Sequence, residues 1–155
     1  MKEGMIAADI GTTNIEVILC DTSGNIIEFK STPNEQKRFG ADVAARICAA
    51  MDGQAEKMRV TVLGQICGLI TECITGHPDI AVGRMAIAGN TTMLHILMGY
   101  DCAGLGFYPF TPVSLEAVET TTHELISRYS VDIDPVFADI PVTVLPGIAP
   151  YVGAD

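Results

Sequence analysis

Apolar positions recur along this chain in two rhythms. Met5 to Ile10 is a short apolar run rich in small residues that stops at Gly11-Thr12-Thr13. From Ile15 to Cys20 the side chains alternate, Ile15, Val17 and Leu19 against Glu16, Ile18 and Cys20, which is the two-residue period of a strand. Asp21-Thr22-Ser23-Gly24-Asn25 is dense in turn formers, and Ile26 to Phe29 resumes the extended pattern. An antiparallel meander of three strands and two tight turns is predicted. After Gly40 the rhythm lengthens. Val43, Ile47, Ala50 and Met51 predict a helix, with Asp42 and Arg46 four apart on another face where they can pair weakly. From Ala55, the repeat Met58, Val62, Ile66, Leu69, Ile70 and Cys73 predicts a long amphipathic helix ended by Gly76-His77-Pro78. Gly64 and Gly68 lie inside it, each costing about 1 kcal/mol against Ala, so another backbone is expected to pack closely there.

Met85 to Ala88 reads as a short buried strand running into Gly89-Asn90-Thr91-Thr92, after which Met93 to Met98 reads as helix up to Gly99. Phe107 to Val113 contains Pro109 and Pro112 and is expected to be an edge or irregular segment. Ser114 to Tyr129 is expected to be helical in part, and Pro141 to Leu145 to be a fifth strand closed by Pro146-Gly147. That order predicts an α/β fold of ribonuclease-H-like type. Its five-stranded mixed sheet would have strands 1–3 antiparallel, the last two parallel, and helices on its faces as crossovers. Residues 1–155 read as a single lobe, with 101–140 as an insertion within it.

Length and composition suit one globular domain: 155 residues, 48% apolar and 18% charged. Net charge changes the picture more. At −10 overall, and with Arg128 the only Lys or Arg from Met85 onward, the surface disfavours nucleic acid and anionic membrane as partners. No basic-then-apolar leader opens the chain and no apolar run approaches the roughly 20 residues of a membrane span, so a cytoplasmic location is expected. Cys20, Cys48, Cys67, Cys73 and Cys102 are odd in number and lack Cys-x-x-Cys or His/Cys spacing. Neither a disulfide framework nor a closed metal site is encoded, no iron–sulfur ligand set is present, and buried reduced thiols are expected.

Two turns carry candidate chemistry. In "DIGTTN", Asp9 to Asn14, Gly11 lets a ligand oxygen reach main-chain N–H groups, Thr12 and Thr13 add hydroxyls, and Asp9 can hold the water shell of Mg²⁺. An ordinary hairpin turn explains the same residues. "AGNTTM", Ala88 to Met93, sits at a strand-to-helix junction, where unpaired N–H groups favour an anion, although Asn90 or Thr91 can equally be the cap that a helix start requires. Both turns are expected at one edge of one sheet, where strand ends converge on ligands. His95 reads as a core residue, and His77 and His123 form no ligand spacing.

"AADIGTTN" (Ala7 to Asn14) resembles the first phosphate motif of the sugar kinase, heat-shock chaperone and actin superfamily. With "NEQKRFGADVAARI" (Asn34 to Ile47), "AGNTTMLHILMG" (Ala88 to Gly99) and "LPGIAPYVGAD" (Leu145 to Asp155), the chain resembles the actin-like ATPase domain of the reductive activators of corrinoid proteins and their ferredoxin-linked relatives. The resemblance implies that Asp9, Gly11, Thr12 and Thr13 form the first phosphate loop, with Asp9 meeting Mg through water, and that Asn90, Thr91 and Thr92 line the cleft. Asn34, Gln36, Asp42 and Arg46 match without an assigned role, and Glu35 stands where relatives often carry Pro. ATP and Mg are implied as cofactors of a two-lobed domain. The implied partners are the second lobe of that domain, a ferredoxin-like domain and a corrinoid protein.

No second acid-x-Gly loop and no Gly-Gly adenosine turn follow in this sequence. The expectation is therefore a first lobe alone, holding half of a nucleotide site, inactive in isolation and with no catalytic residue assigned. Two alternatives stand beside it. A small-molecule kinase lobe would need a catalytic carboxylate where "AGNTTM" offers Asn and Thr. A non-catalytic folding or interaction module would cover its open interlobe face with a second copy, as a homodimer.

Overall fold

The computed structural model describes residues 1–127 and 139–150. Strands β1 (Lys2–Ile10), β2 (Asn14–Asp21) and β3 (Ile26–Pro33) form the antiparallel meander, with Ile10 paired to Ile15 and Asn14 to Pro33. A 3-10 turn (Glu35–Arg38) leads to helix α1 (Val43–Ala49), which passes through a kink at Gly53 (φ 84°) into the long helix α2 (Ala55–Gly76). Then follow β4 (Ile80–Gly89), α3 (Thr91–Met98), α4 (Ala103–Gly106), β5 (Val118–Thr121), α5 (Thr122–Ile126) and β6 (Pro141–Val144). The strands lie in the order β3-β2-β1-β4-β6-β5, with β4 parallel to both β1 and β6.

Among the described residues the sheet has six strands rather than five. The added strand, β5, falls in the stretch expected to be partly helical; there only Thr122–Ile126 is helix, and residues 128–138 lie outside the described residues. Val118, Thr120 and Thr121 are β-branched, which favours a pleated edge, and β5 pairs antiparallel with β6 through Glu119 and Thr143. The helix waits until the Thr121 hydroxyl can cap it by accepting the Glu124 N–H at 3.2 Å.

One face of the sheet carries the core. Ile6, Ala8 and Ile10 of β1, Ile15, Val17 and Leu19 of β2, and Met85 and Ile87 of β4 are all buried, and α2 covers them with Met58, Val62, Leu63, Ile66 and Ile70. Ala7, Ile18, Cys20 and Ala86 lie on the opposite face and are less buried. Helices were expected on both faces, yet the described helices that pack on the sheet share the first. The reason is topological: β1 to β4 and β4 to β6 step the same way across the sheet, and right-handed crossovers then fall on one side.

Gly64 and Gly68 do not mark a close helix contact. A Cβ built at either position meets nothing within 4 Å. Each Gly→Ala replacement should therefore stabilise the chain by about 0.5–1 kcal/mol, through helix propensity alone, in urea melts. Nor is the chain free of span-length apolar sequence. Val43–Gly76 is long and apolar enough to cross a membrane by length and composition, and the face that α2 buries on the sheet accounts for that apolarity. The thiols also divide. Cys73 and Cys102 are buried as expected, and burial pushes Cys67 and Cys102 up to about 11, whereas Cys48 is exposed.

Candidate functional site

At the end of the β1–β2 hairpin the Gly11 N–H donates to the Asn14 carbonyl at 2.9 Å. A Cβ at Gly11 would stand 2.7 Å from that same carbonyl oxygen, so the turn itself demands glycine. The Gly11 N–H is thus taken up within the turn. The N–H groups of Thr12 and Thr13 remain, with no hydrogen-bond partner among the described residues.

The two turns meet. Because β4 runs parallel to β1 with Ile10 beside Gly89, the start of α3 lies next to the hairpin turn, and the Asn90 Nδ2 donates to Thr12 Oγ1 at 3.1 Å. Asn90 also caps α3, its Oδ1 accepting the Met93 N–H at 3.0 Å. The cap and the bridge use opposite ends of one amide. Thr12 Oγ1, having accepted from Asn90, keeps its own proton to donate outward. Thr91 and Thr92 were expected to line the cleft; instead they turn inward, at 1% and 2% exposure. Thr91 Oγ1 donates to the Ala149 carbonyl at 2.5 Å, tying the chain after β6 to the helix start.

Asp9 lies on the sheet face turned away from α2, half-buried, directly opposite Glu16 and beside Ala88. Like charges opposed across a strand pair repel unless a cation or a screening partner intervenes. Glu16 is the site residue that motif reasoning missed. Its signal was present, since a four-residue loop closing Ile10 onto Ile15 necessarily sets residue 16 against residue 9.

Beneath the turn sits Asn34, fully buried. Its Nδ2 donates to the Gly11 carbonyl at 2.9 Å, its Oδ1 accepts the Gln36 N–H at 2.9 Å, and its own N–H donates to the Thr13 carbonyl at 2.8 Å. Gln36, also fully buried, reaches the Met58 carbonyl of α2. The N–H of Glu35, which a proline would lack, donates to Gln65 Oε1 at 3.0 Å, while Gln65 Nε2 donates to the Pro33 carbonyl. Asp42 and Arg46 do not form the expected ion pair. Asp42 caps α1 through the Ala45 N–H, and Arg46 turns into the interior, donating to the Gly40 carbonyl at 2.9 Å and to Met93 Sδ at 3.6 Å. Burial pulls the Arg46 guanidinium below its ordinary value, with Asp42 opposing.

His95 is a core residue, as its position on α3 implied. Its Nδ1 donates to the Thr91 carbonyl at 2.9 Å and its Nε2 accepts the Val113 N–H at 3.0 Å, an arrangement that only the neutral ring satisfies. Among the described residues no group of three or more His, Cys, Asp or Glu side chains could hold a metal ion.

The RamQ corrinoid activation enzyme of Eubacterium limosum is 30% identical over 97% of this chain. A solved structure of a reductive activator for a corrinoid, iron–sulfur protein superposes with a TM-score of 0.82 at 30% identity, again over 97% of the chain. The chain spans about a quarter of each relative, 25% of the first and 24% of the second. Residues 5–155 match the RACo middle region, and the chain belongs to that family.

Proposed function

We propose that this chain is the nucleotide-binding first lobe, ribonuclease-H-like in type, of an ATP-dependent reductive activator of a corrinoid protein, and that it supplies the first phosphate loop. The observation carrying the reading is the Asn90–Thr12 bond, which joins two Gly-Thr turns where parallel strands leave the sheet side by side. The donor set fits a polyphosphate with its divalent cation. The Thr12 and Thr13 N–H groups and the Thr12 hydroxyl can bind phosphate oxygens, and Asp9, with Glu16 opposite, can hold the water shell of Mg²⁺. Mg-ATP would supply the energy for an uphill electron transfer. The chain's own residues bind and orient; a second lobe, a ferredoxin-like domain and the corrinoid protein complete the system.

Calorimetry of Mg-ATP binding tests this, on the chain alone, on the longer activator, and on Asp9→Ala versions of both. The longer protein should bind, the lobe should bind weakly or not at all, and Asp9→Ala should weaken binding more than about tenfold, the share of a charge-assisted contact. No binding by the longer protein, or full affinity after Asp9→Ala, overturns the reading.

A further inference from the structure

Arg46 is buried without an anion to match it. Among the described residues no carboxylate lies within ion-pair distance of its guanidinium, although the side chain is almost wholly out of solvent. Asp42, one turn earlier on α1, uses its carboxylate to accept the Ala45 N–H. The guanidinium instead donates from Nε to the Gly40 carbonyl and from Nη1 to the thioether of Met93, a weak acceptor, and Nη2 makes no hydrogen bond among the described residues. A desolvated cation so thinly answered is costly, and an apolar side chain of similar volume is often as stable in such a place or more so. Packing alone does not call for an arginine.

Its position supplies a reason. Met93 Sδ lies 3.6 Å from Nη1 of Arg46 and 3.9 Å from Nδ2 of Asn34, and that same Nδ2 donates to the Gly11 carbonyl at 2.9 Å. Two buried, uncharged side chains thus lead from the guanidinium to the hairpin turn. The first turn of α1, Asp42 to Ala44, also lines one cavity with Thr12, so α1 flanks the turn from the side. Through a water-free path a charge is screened far less than at the surface. The turn has need of one. A polyphosphate there meets Asp9 and Glu16 in a chain of net charge −10, and neither "DIGTTN" nor "AGNTTM" holds a lysine or arginine.

We infer that Arg46 is the buried cation behind the phosphate turn, a positioning residue whose charge favours the more highly charged polyphosphate at Thr12 and Thr13 without touching it. This rests on the reading of that turn as a phosphate site and adds a specificity to it. The field of a fixed positive charge acts on the phosphates in proportion to their charge and leaves the nucleoside unaffected. Mg-ATP, one negative charge richer than Mg-ADP, gains the more. The arrangement also accounts for keeping a guanidinium where an apolar side chain would pack, since a binding site can retain a group that costs stability.

The test is calorimetry of Mg-ATP and Mg-ADP on the longer activator as wild type, Arg46→Lys, Arg46→Gln and Arg46→Met, with urea melts of this chain carrying the same substitutions. The two neutral variants should weaken Mg-ATP about five- to tenfold and Mg-ADP by a smaller factor, while Arg46→Lys, which keeps the charge, should stay within about twofold of wild type. The urea midpoint of Arg46→Met should hold or rise, so that lost affinity is not lost fold. Unchanged Mg-ATP affinity in both neutral variants overturns the inference. So does an equal loss for the two nucleotides, or a loss in Arg46→Lys as large as in Arg46→Met, because either would mark a distorted turn rather than a missing charge. Failure of both neutral variants to fold would assign the guanidinium to the core and overturn it as well. A wild-type activator that binds no Mg-ATP overturns the phosphate reading itself, and this inference with it.

Discussion

Asn34→Ala should lower the unfolding free energy by about 3 kcal/mol, because it strands a buried N–H and a partly buried carbonyl at once. Asn34 is fully buried, and its amide satisfies the Gly11 carbonyl on one side and the Gln36 N–H on the other. Alanine answers neither, and a vacancy of side-chain size adds to the loss. Asn34→Asp separates the contributions. It keeps an acceptor for the Gln36 N–H but turns a carboxylate oxygen toward the Gly11 carbonyl, so it should also destabilise, and more so above the carboxyl pKa. Urea denaturation of the three proteins is decisive, and a shift below about 0.5 kcal/mol for Asn34→Ala would show that the clamp is ornamental. The same variants should loosen the Gly11-Thr12-Thr13 turn, whose position depends on Asn34 from below and Asn90 from the side.

Stability should also fall as the solution is acidified through the imidazole range, with His95 the main cause. Burial holds its pKa below the ordinary value, the Thr91 carbonyl opposing only in part, and the Val113 N–H needs an unprotonated Nε2. The unfolded chain therefore binds a proton that the folded chain resists. The stabilisation is complete above the unfolded value of about 6.5 and is lost as pH falls toward the depressed native value, at no more than about 1.4 kcal/mol per pH unit. Urea melts between pH 8 and pH 5 measure the slope, and His95→Gln should flatten it. An unchanged slope in that variant would move the effect to other groups. Since His95 holds Val113, acidification should first free the segment that runs from Phe107 to Val113.

Much of this architecture was legible locally. Alternation from Ile15 to Leu19 named the core face of β2, and the three- and four-residue repeat named the buried face of α2. Strand β5 was not, since Val118-Glu119-Thr120-Thr121 is too short to establish a period and exists by pairing with β6. The turns could be seen individually, whereas the Asn90–Thr12 bond joins residues 78 apart and depends on the parallel register of β1 and β4. Asn34 and Arg46 matched a motif without declaring a role, because their role is set by what lies above them in space. Arg46 looked like half of a surface pair and is instead 1% exposed.

The bond from Thr91 Oγ1 to the Ala149 carbonyl gives the fold a mechanical property. A pull on the strand exit, at Leu145 to Ala149, is borne by the first turn of α3, and from there by Asn90 and the hydroxyl of Thr12. Gly147 packs in the same place, since a Cβ there would stand 3.3 Å from Thr91 Oγ1. Any force that displaces this segment is thus delivered to the hairpin turn within two hydrogen bonds, without crossing the core.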